Sequence, residues 1–543
     1  MTIRRRARRV VPALLAALAL SLSLSQTGAA ARPHGPHGEE KAATADHTIQ
    51  LGTPKLVTPN GHAKPQVSKT KGPLSTIPKQ QLAALKNQSA QTAAVTGAHR
   101  PRKAGKSTAP KLAPPPSGGG FEGLSQPCCF RPPDTHGAVG RSHFVEVVNG
   151  VGFGVFRKSD GGLSKNVSFA SFFGYSAQTI FDPRVVYDKK WNRWVISAAA
   201  FPESSTVQRV FFAVSTTSDP NGSFYIYSFD PPENAGDFYD YPQLGLDQDA
   251  VIVTANIFDS SDNYLRTRAF GMAKSDLYNG GSPNFPYFDL GTPGTVAPPI
   301  VEDNNSNAFL VAASLASNTQ LALFRASNLG RSGAGIVLQA NVPVPAFSAP
   351  PNARQPGTNN LLDSQDARFQ NASTQIGNRL LNIHDIGPGL PTPKWYQINT
   401  STNTVPAGES GLAHESGDSD DFNPSVAGSD VGGTASNPIG RMFFTWSATD
   451  VTGTGIHQAR VKSGGRLATD ATDVVGGNSH GADAPTFYNP SADTVERWGD
   501  YSAVTIDPIA TGTCAVGNRA YVVNERQIST TSWGSRIGKP GFC

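Results

Sequence analysis

The sequence predicts an all-β fold and, within that class, a β-propeller. Three observations carry the reading. From Phe121 onward, short β-branched and aromatic runs alternate with clusters of Gly, Asn, Asp and Ser, and no long amphipathic helical pattern interrupts them. The stretch Phe181 to Ala200, FDPRVVYDKKWNRWVISAAA, reads as one hairpin. In it, Arg184 to Tyr187 forms a strand, Asp188 to Asn192 a polar turn, and Arg193 to Ala200 an apolar return strand suited to burial on both faces. Finally, related units recur along the chain, opening at Pro133, Asp182, Tyr241, Pro299, Leu361, Phe422 and Arg497. Each has a polar opener, often Asp or Asn with Pro, then a short strand, a turn, an apolar strand and a longer polar strand. Four short strands per unit is a propeller pattern, and seven units predict seven blades. Six or eight stay open, because the units near residues 300–360 and 465–490 are poorly defined.

The N-terminus reads as a secretory signal over residues 1–31. Arg4, Arg5, Arg6, Arg8 and Arg9 form a basic region, Val10 to Leu24 a short apolar run, and Ala29 to Ala31 a small-residue cleavage site. The apolar run is too short for a spanning stop-transfer helix, so a secreted protein with no membrane attachment after cleavage is expected. Twin-arginine export is an alternative route. Without the signal's five arginines, 41 basic residues face 41 acidic ones, so the formal charge of +5 disappears. Residues 32–118 carry 13 Lys and Arg against 3 Asp and Glu and contain no Phe, Tyr or Trp. They are expected to be a disordered basic spacer, with a helical turn or two near Lys79 to Gln88. A sharper alternative is an electrostatic tether to an anionic wall or polysaccharide. Residues 119–543, the predicted propeller, are then net acidic, which gives no support to nucleic-acid binding.

Export permits disulfides. Cys128 and Cys129 lie at the start of the folded region and Cys514 and Cys543 near its end. Three pairings exist. Because adjacent cysteines bridge each other through a strained ring, bonds from Cys128 and Cys129 to Cys514 and Cys543 are favoured. The CC pair lacks the CxxC spacing of a zinc site.

Several motifs carry a family resemblance. RPPDTHGAVGRSHFVEVVN (Arg131 to Asn149), FDPRVVYDKKWNRWVI (Phe181 to Ile196), YPQLGLDQDAVIVTANIF (Tyr241 to Phe258), LLDSQDARFQN (Leu361 to Asn371) and RWGDYSAVTIDP (Arg497 to Pro508) resemble motifs of a family of exported bacterial β-propeller proteins. The resemblance covers most of 121–543 and implies fold and export, with no catalytic residue to carry over. TSDPNGSF (Thr217 to Phe224) is distantly similar to the sialidase Asp-box, S-x-D-x-G-x-T-W, with one residue too many and Phe for Trp. That box is structural in sialidases.

Propellers bind ligands at the mouth of the central channel. The openers would place Asp134, His136, Arg184, Tyr241, Arg368, Arg497, Trp498 and Tyr501 there as ligand-binding residues, aromatic rings stacking on a sugar. The plainer reading is that these Asp and Arg residues pair with one another and hold the blades together. A glycosidase would need two carboxylates about 5–9.5 Å apart. Asp182, Asp366 and Asp500 are the catalytic candidates, and Arg184, Arg368 and Arg497 would have to imitate a sialidase arginine triad. No cofactor is expected, although acidic runs holding Asp259, Asp262, Asp418 and Asp420 offer oxygen ligands for structural calcium. No HExxH pair occurs. The leading expectation is a secreted monomer that binds an extracellular glycan or surface component. A glycoside hydrolase or lyase and a purely structural protein are the alternatives.

Overall fold

The hairpin at Phe181 to Ala200 forms as its residues require. Strands Ile180–Asp188 and Arg193–Ala200 pair antiparallel, with Trp194↔Tyr187 and Ile196↔Val185 in register. The return strand is buried along nearly its whole length, so both its faces pack against neighbouring sheets. Around this hairpin the computed structural model describes residues 41–60, 74–96, 119–126, 130–387, 389–452, 455–481, 484–491 and 493–543. The expected signal segment lies outside these residues.

Among the described residues, seven antiparallel meanders follow one another. Their inner strands are His136–Val139, Ile180–Asp188, Phe238–Leu246, the pair Val296–Ala297 and Pro299–Val301, Ser373–Ile376, Asp420–Ser429 and Ala503–Ile506. Each inner strand lies beside the next, and the seventh returns to the first, which makes a closed ring. The apolar clusters lie between sheet faces. One packs Phe153 and Phe172 of the first unit against Trp194 and Phe211 of the second, and another packs Phe212 and Phe229 against Phe270 and Phe285. The seventh sheet takes its outer strand from the start of the folded region, Gly120–Gln126, which pairs with Trp533–Gly538. TSDPNGSF forms the turn before the outer strand Phe224–Phe229, with Asp219 accepting the Asn221 amide at 3.0 Å.

Two expectations are corrected. The spacer reading fails wherever residues 32–118 are described. Lys41–Ala42, Thr44–Gln50 and Lys55–Val57 add outer strands to the fourth, third and second sheets in turn, while the helical turns expected near Lys79 to Gln88 are present within a longer helix, Lys79–Thr96, α1. Composition concealed this, because an edge strand is held by backbone groups that any side chain leaves free. Few side chains reinforce the seat: Ile49 and Leu51 are buried, and Asp46 pairs with Arg268 at 2.8 Å.

The cysteine pairing is also different: Cys514 bonds Cys543. The C-terminus folds back onto its own last loop, where Arg519 bridges Gly541 and the Phe542 amide donates to the Asn518 carbonyl at 2.8 Å. Cys128 and Cys129 lie outside the described residues. A loop of 29 residues implies that Cys543→Ser lowers the unfolding free energy by about 3.6 kcal/mol in the chain-entropy model. Urea unfolding of the variant against the oxidised parent measures it. An unchanged midpoint would show the bond to be irrelevant to stability.

Candidate functional site

The openers converge through a repeated backbone device. Asp134, Asp182, Tyr241, Gln365 and Asn423 all have φ between 47° and 58°. Left-handed backbone is uncommon outside glycine. Asp182, Tyr241 and Asn423 each precede a proline, and in those three units the ladder shifts register across the opener. The bulge turns the opener's side chain off the sheet and toward the ring axis.

Asp134, Asp182 and Asp500 form an acidic group there. The Asp500 amide donates to Asp134 Oδ1 at 2.8 Å, and Asn149 joins the other two by donating from its side chain to Asp134 and accepting the Asp182 amide at 2.8 Å. Tyr501 Oη donates to Asp182 Oδ2 at 2.6 Å. Burial raises the Asp182 carboxyl to about 6, the Asp500 charge pushing the same way against the Tyr501 hydrogen bond. Asp134 is raised well above the carboxylate range by burial, then by Asp500 and Asp182. A recess of about 50 Å³ opens over these acids, walled by Phe130, Phe181, Phe201 and Phe238.

The cations are already engaged. Arg184 donates to the Pro242 carbonyl at 3.0 Å, Asn371 Oδ1 at 2.9 Å and the Gln370 carbonyl at 2.9 Å, and lies 3.4 Å over the Tyr501 ring. Arg368 grips Asp366 through two nitrogens and lies over Tyr241. Arg497 chelates Asp500 at 2.7 and 2.8 Å and reaches Asp363 at 3.2 Å. An arginine triad open to an incoming carboxylate is therefore not assembled. Burial lifts Asp363, but the Lys86 and Arg497 charges more than offset it and hold that carboxyl near about 2.

Over these pairs lies a cleft of about 590 Å³, roofed by α1 and floored by Asp363, Gln365, Asp366, Arg368, Arg497 and Asp500. A separate cavity of about 170 Å³ follows the ring axis among inner-strand side chains, including His136, Thr374 and Thr505.

The structure thus brings Asp134, Asp182, Arg184, Tyr241, Arg368, Arg497, Asp500 and Tyr501 into one network, with Asp366 at its edge. It leaves two expected ligands elsewhere. Trp498 is buried against Phe422 and Tyr488 and donates to Ser447 Oγ at 3.0 Å, so its ring faces the core. His136 accepts the Val185 amide and is kept neutral by burial, then by the Arg184 charge. Tyr241 and Tyr501 are also buried, so the stacking surfaces expected for a sugar are taken by guanidinium groups. The calcium candidates lie in ordinary turns and ion pairs. Asp259 accepts the Ser261 and Asn263 amides, Asp262 meets Lys79 at 3.1 Å, Asp420 holds Arg354, and the same Arg354 donates to the Asp418 carbonyl. Among the described residues, no three His, Cys, Asp or Glu side chains gather as a metal group.

Sequence reasoning missed Asn149, Asp363, Gln365 and Lys86. Asp363 stands three residues before Asp366 in LLDSQDARF, a spacing that was visible. Nothing in the sequence distinguishes Lys86 from its basic neighbours.

No protein-family profile matches the sequence, and no curated protein matches it. Among solved structures, Phanerochaete chrysosporium exo-β-1,3-galactanase with β-1,3-galactotriose is similar at a TM-score of 0.30 and 13% identity, covering 63% of this chain and 79% of that one. Trypanosoma rangeli sialidase with sialic acid is similar at 0.35 and 8%, over 70% and 56% of the two chains. Synechocystis apocarotenoid oxygenase is similar at 0.36 and 11%, over 62% and 69%. None of these likenesses lends this chain an activity or a site residue.

Proposed function

We propose that this is a secreted β-propeller that binds an extracellular glycan at the channel mouth. The observation that carries the reading is the cleft of about 590 Å³, whose floor sets carboxylates, guanidinium groups and an amide side by side. Rigid polar groups that both donate and accept suit a polyhydroxylated chain better than an apolar ligand. The Cys514–Cys543 bond accords with an oxidising compartment. Retention of the full chain on a panel of insoluble polysaccharides tests this. One glycan is expected to retain the protein, and Asp366→Asn to weaken that retention. Retention by none would overturn the reading.

Hydrolysis is the second reading, favoured by Asp182. A carboxyl raised to about 6 beside the Asp500 charge is the kind of group a general acid needs. It predicts reducing-end release that falls above about pH 6 and is lost in Asp182→Asn while retention on the glycan persists. Retention without release from any polysaccharide would leave binding alone.

A further inference from the structure

Residues 74–86 occupy the mouth. Leu74 packs in the same apolar cluster as Phe181 and Phe238 and lines the recess over Asp182 and Asp500. Its carbonyl accepts from Arg368 at 2.6 Å, and the Ser75 hydroxyl donates to Asp366 at 3.0 Å. Farther along, Lys86 Nζ donates to Asn352 Oδ1 at 2.6 Å and Asp363 Oδ1 at 2.9 Å. The chain thus presents an acceptor, a hydroxyl and an ammonium to three polar stations of its own mouth.

The seat of this segment is mixed: Leu74 and Ile77 are buried, whereas the helix that follows is anchored through polar groups. Between Lys79 and Thr92 of α1, Lys86 and Ser89 alone are buried and Leu82 and Leu85 beside them are only half-buried, so the helix has no fully buried apolar stripe. Helices of globular proteins are normally held by such a stripe, and an isolated helix of this length is marginal in water. The strands before it are tied by ladders to sheet edges. Segment 74–96 pairs with no strand.

We propose that residues 74–86 are a ligand supplied by the chain itself, displaced by a glycan that carries primary ammonium groups beside its hydroxyls, a de-N-acetylated amino-sugar polymer. This rests on the glycan reading above. When Lys86 leaves, Asp363 keeps Arg497 on one oxygen and loses the cation on the other. A buried carboxylate that loses one of its two cations is costly. A neutral glycan leaves that cost in place, and an acidic glycan adds repulsion from Asp363, Asp366 and Asp500. An amino sugar restores the pair, so charge selects the ligand.

The test is calorimetry on the full chain with three probes: a glucosamine hexamer, its N-acetylated counterpart and an oligogalacturonate, at a pH that keeps the sugar amines charged. The glucosamine hexamer alone is expected to bind. Lys86→Ala is expected to tighten it by about tenfold or more, and Asp363→Asn to weaken it by at least as much. Thermal melts identify any misfolded variant. Hydrogen exchange supplies a readout without ligand. Amides of 82–87 are expected to exchange about tenfold faster in Lys86→Ala, while those of 210–215 are unchanged. Exchange of 82–87 only with global unfolding would make the segment a fixed part of the fold and overturn the proposal. If the neutral or acidic oligomer binds parent and Lys86→Ala equally, the glycan reading holds and this proposal fails. If no oligomer binds either protein, this proposal fails, and the glycan reading stands or falls on the polysaccharide panel above. If a peptide of residues 74–90 binds Lys86→Ala while the sugars do not, the mouth is a peptide site and the amino-sugar assignment is overturned.

Discussion

Arg184→Ala is expected to lower the unfolding free energy by about 3–5 kcal/mol, the largest loss for any single opener. The side chain is buried, and its three nitrogens meet two backbone carbonyls and a side-chain amide contributed by the third and fifth units. Truncation leaves the Pro242 carbonyl and the Asn371 amide oxygen without this donor, at about 1–3 kcal/mol for each buried group left unsatisfied, while the Gln370 carbonyl keeps the Gln243 side-chain amide. It also strips Tyr501 of the guanidinium stacked 3.4 Å above it. Because the partners come from units far apart in sequence, the loss is one of inter-blade cohesion. Arg184→Lys is expected to recover little, since an ammonium lacks the planar fork that spans three acceptors. Urea unfolding of the parent and both variants measures this. A loss under 1 kcal/mol in Arg184→Ala would mean that water replaces the guanidinium without penalty and that this residue does not hold the ring together.

The same network shows what the sequence could and could not disclose. The openers were legible because the device that builds them is local. A left-handed Asp, Asn or Tyr followed by Pro marks Asp182, Tyr241 and Asn423 in any single reading. Their convergence followed from the repeat. Depth was not legible: a Trp beside an opener reads as a stacking platform, yet Trp498 points into the core. Pairing of the opener cations with acids was anticipated as the plainer reading, but not the partners, which lie as far apart as 277 positions for Lys86 and Asp363. The N-terminal strands escaped because edge addition uses backbone alone. The disulfide escaped because the return of the C-terminus onto the Asn518 loop has no sequence signature. What composition captured was the class of fold, and what it misjudged was which polar stretches find a polar seat.

Glu146→Gln is expected to make the protein more stable at alkaline pH and nearly neutral at pH 5. Glu146 is fully buried on the second strand of the first sheet, and its Oε2 accepts the Leu124 amide at 2.7 Å. A Cβ on Gly123 would lie 2.5 Å from that oxygen, so the backbone there closes tightly over the carboxyl. Burial raises this group from 4.5 to about 8, against the hydrogen bond from the Leu124 amide. A folded value above the unfolded one means that the native state holds the proton more tightly. The stabilisation is complete below about pH 4.5 and is lost as pH rises toward 8. At about 1.36 kcal/mol per unit, the parent loses about 4 kcal/mol between pH 5 and 8 through this residue. Asp182, Asp134 and Glu525 are raised by burial and act in the same direction, so the parent's own slope is steeper. His384 and His480, held near about 4 by burial, act at the other end, where the unfolded chain takes up protons below about 6.5. The difference between parent and variant isolates Glu146, because the glutamine keeps an acceptor for the Leu124 amide and has no charge to desolvate. Urea unfolding of both proteins at pH 5, 7 and 9 gives that difference. Parallel stability curves across the three values would show that Glu146 does not change its protonation on folding and would remove it from the alkaline limb.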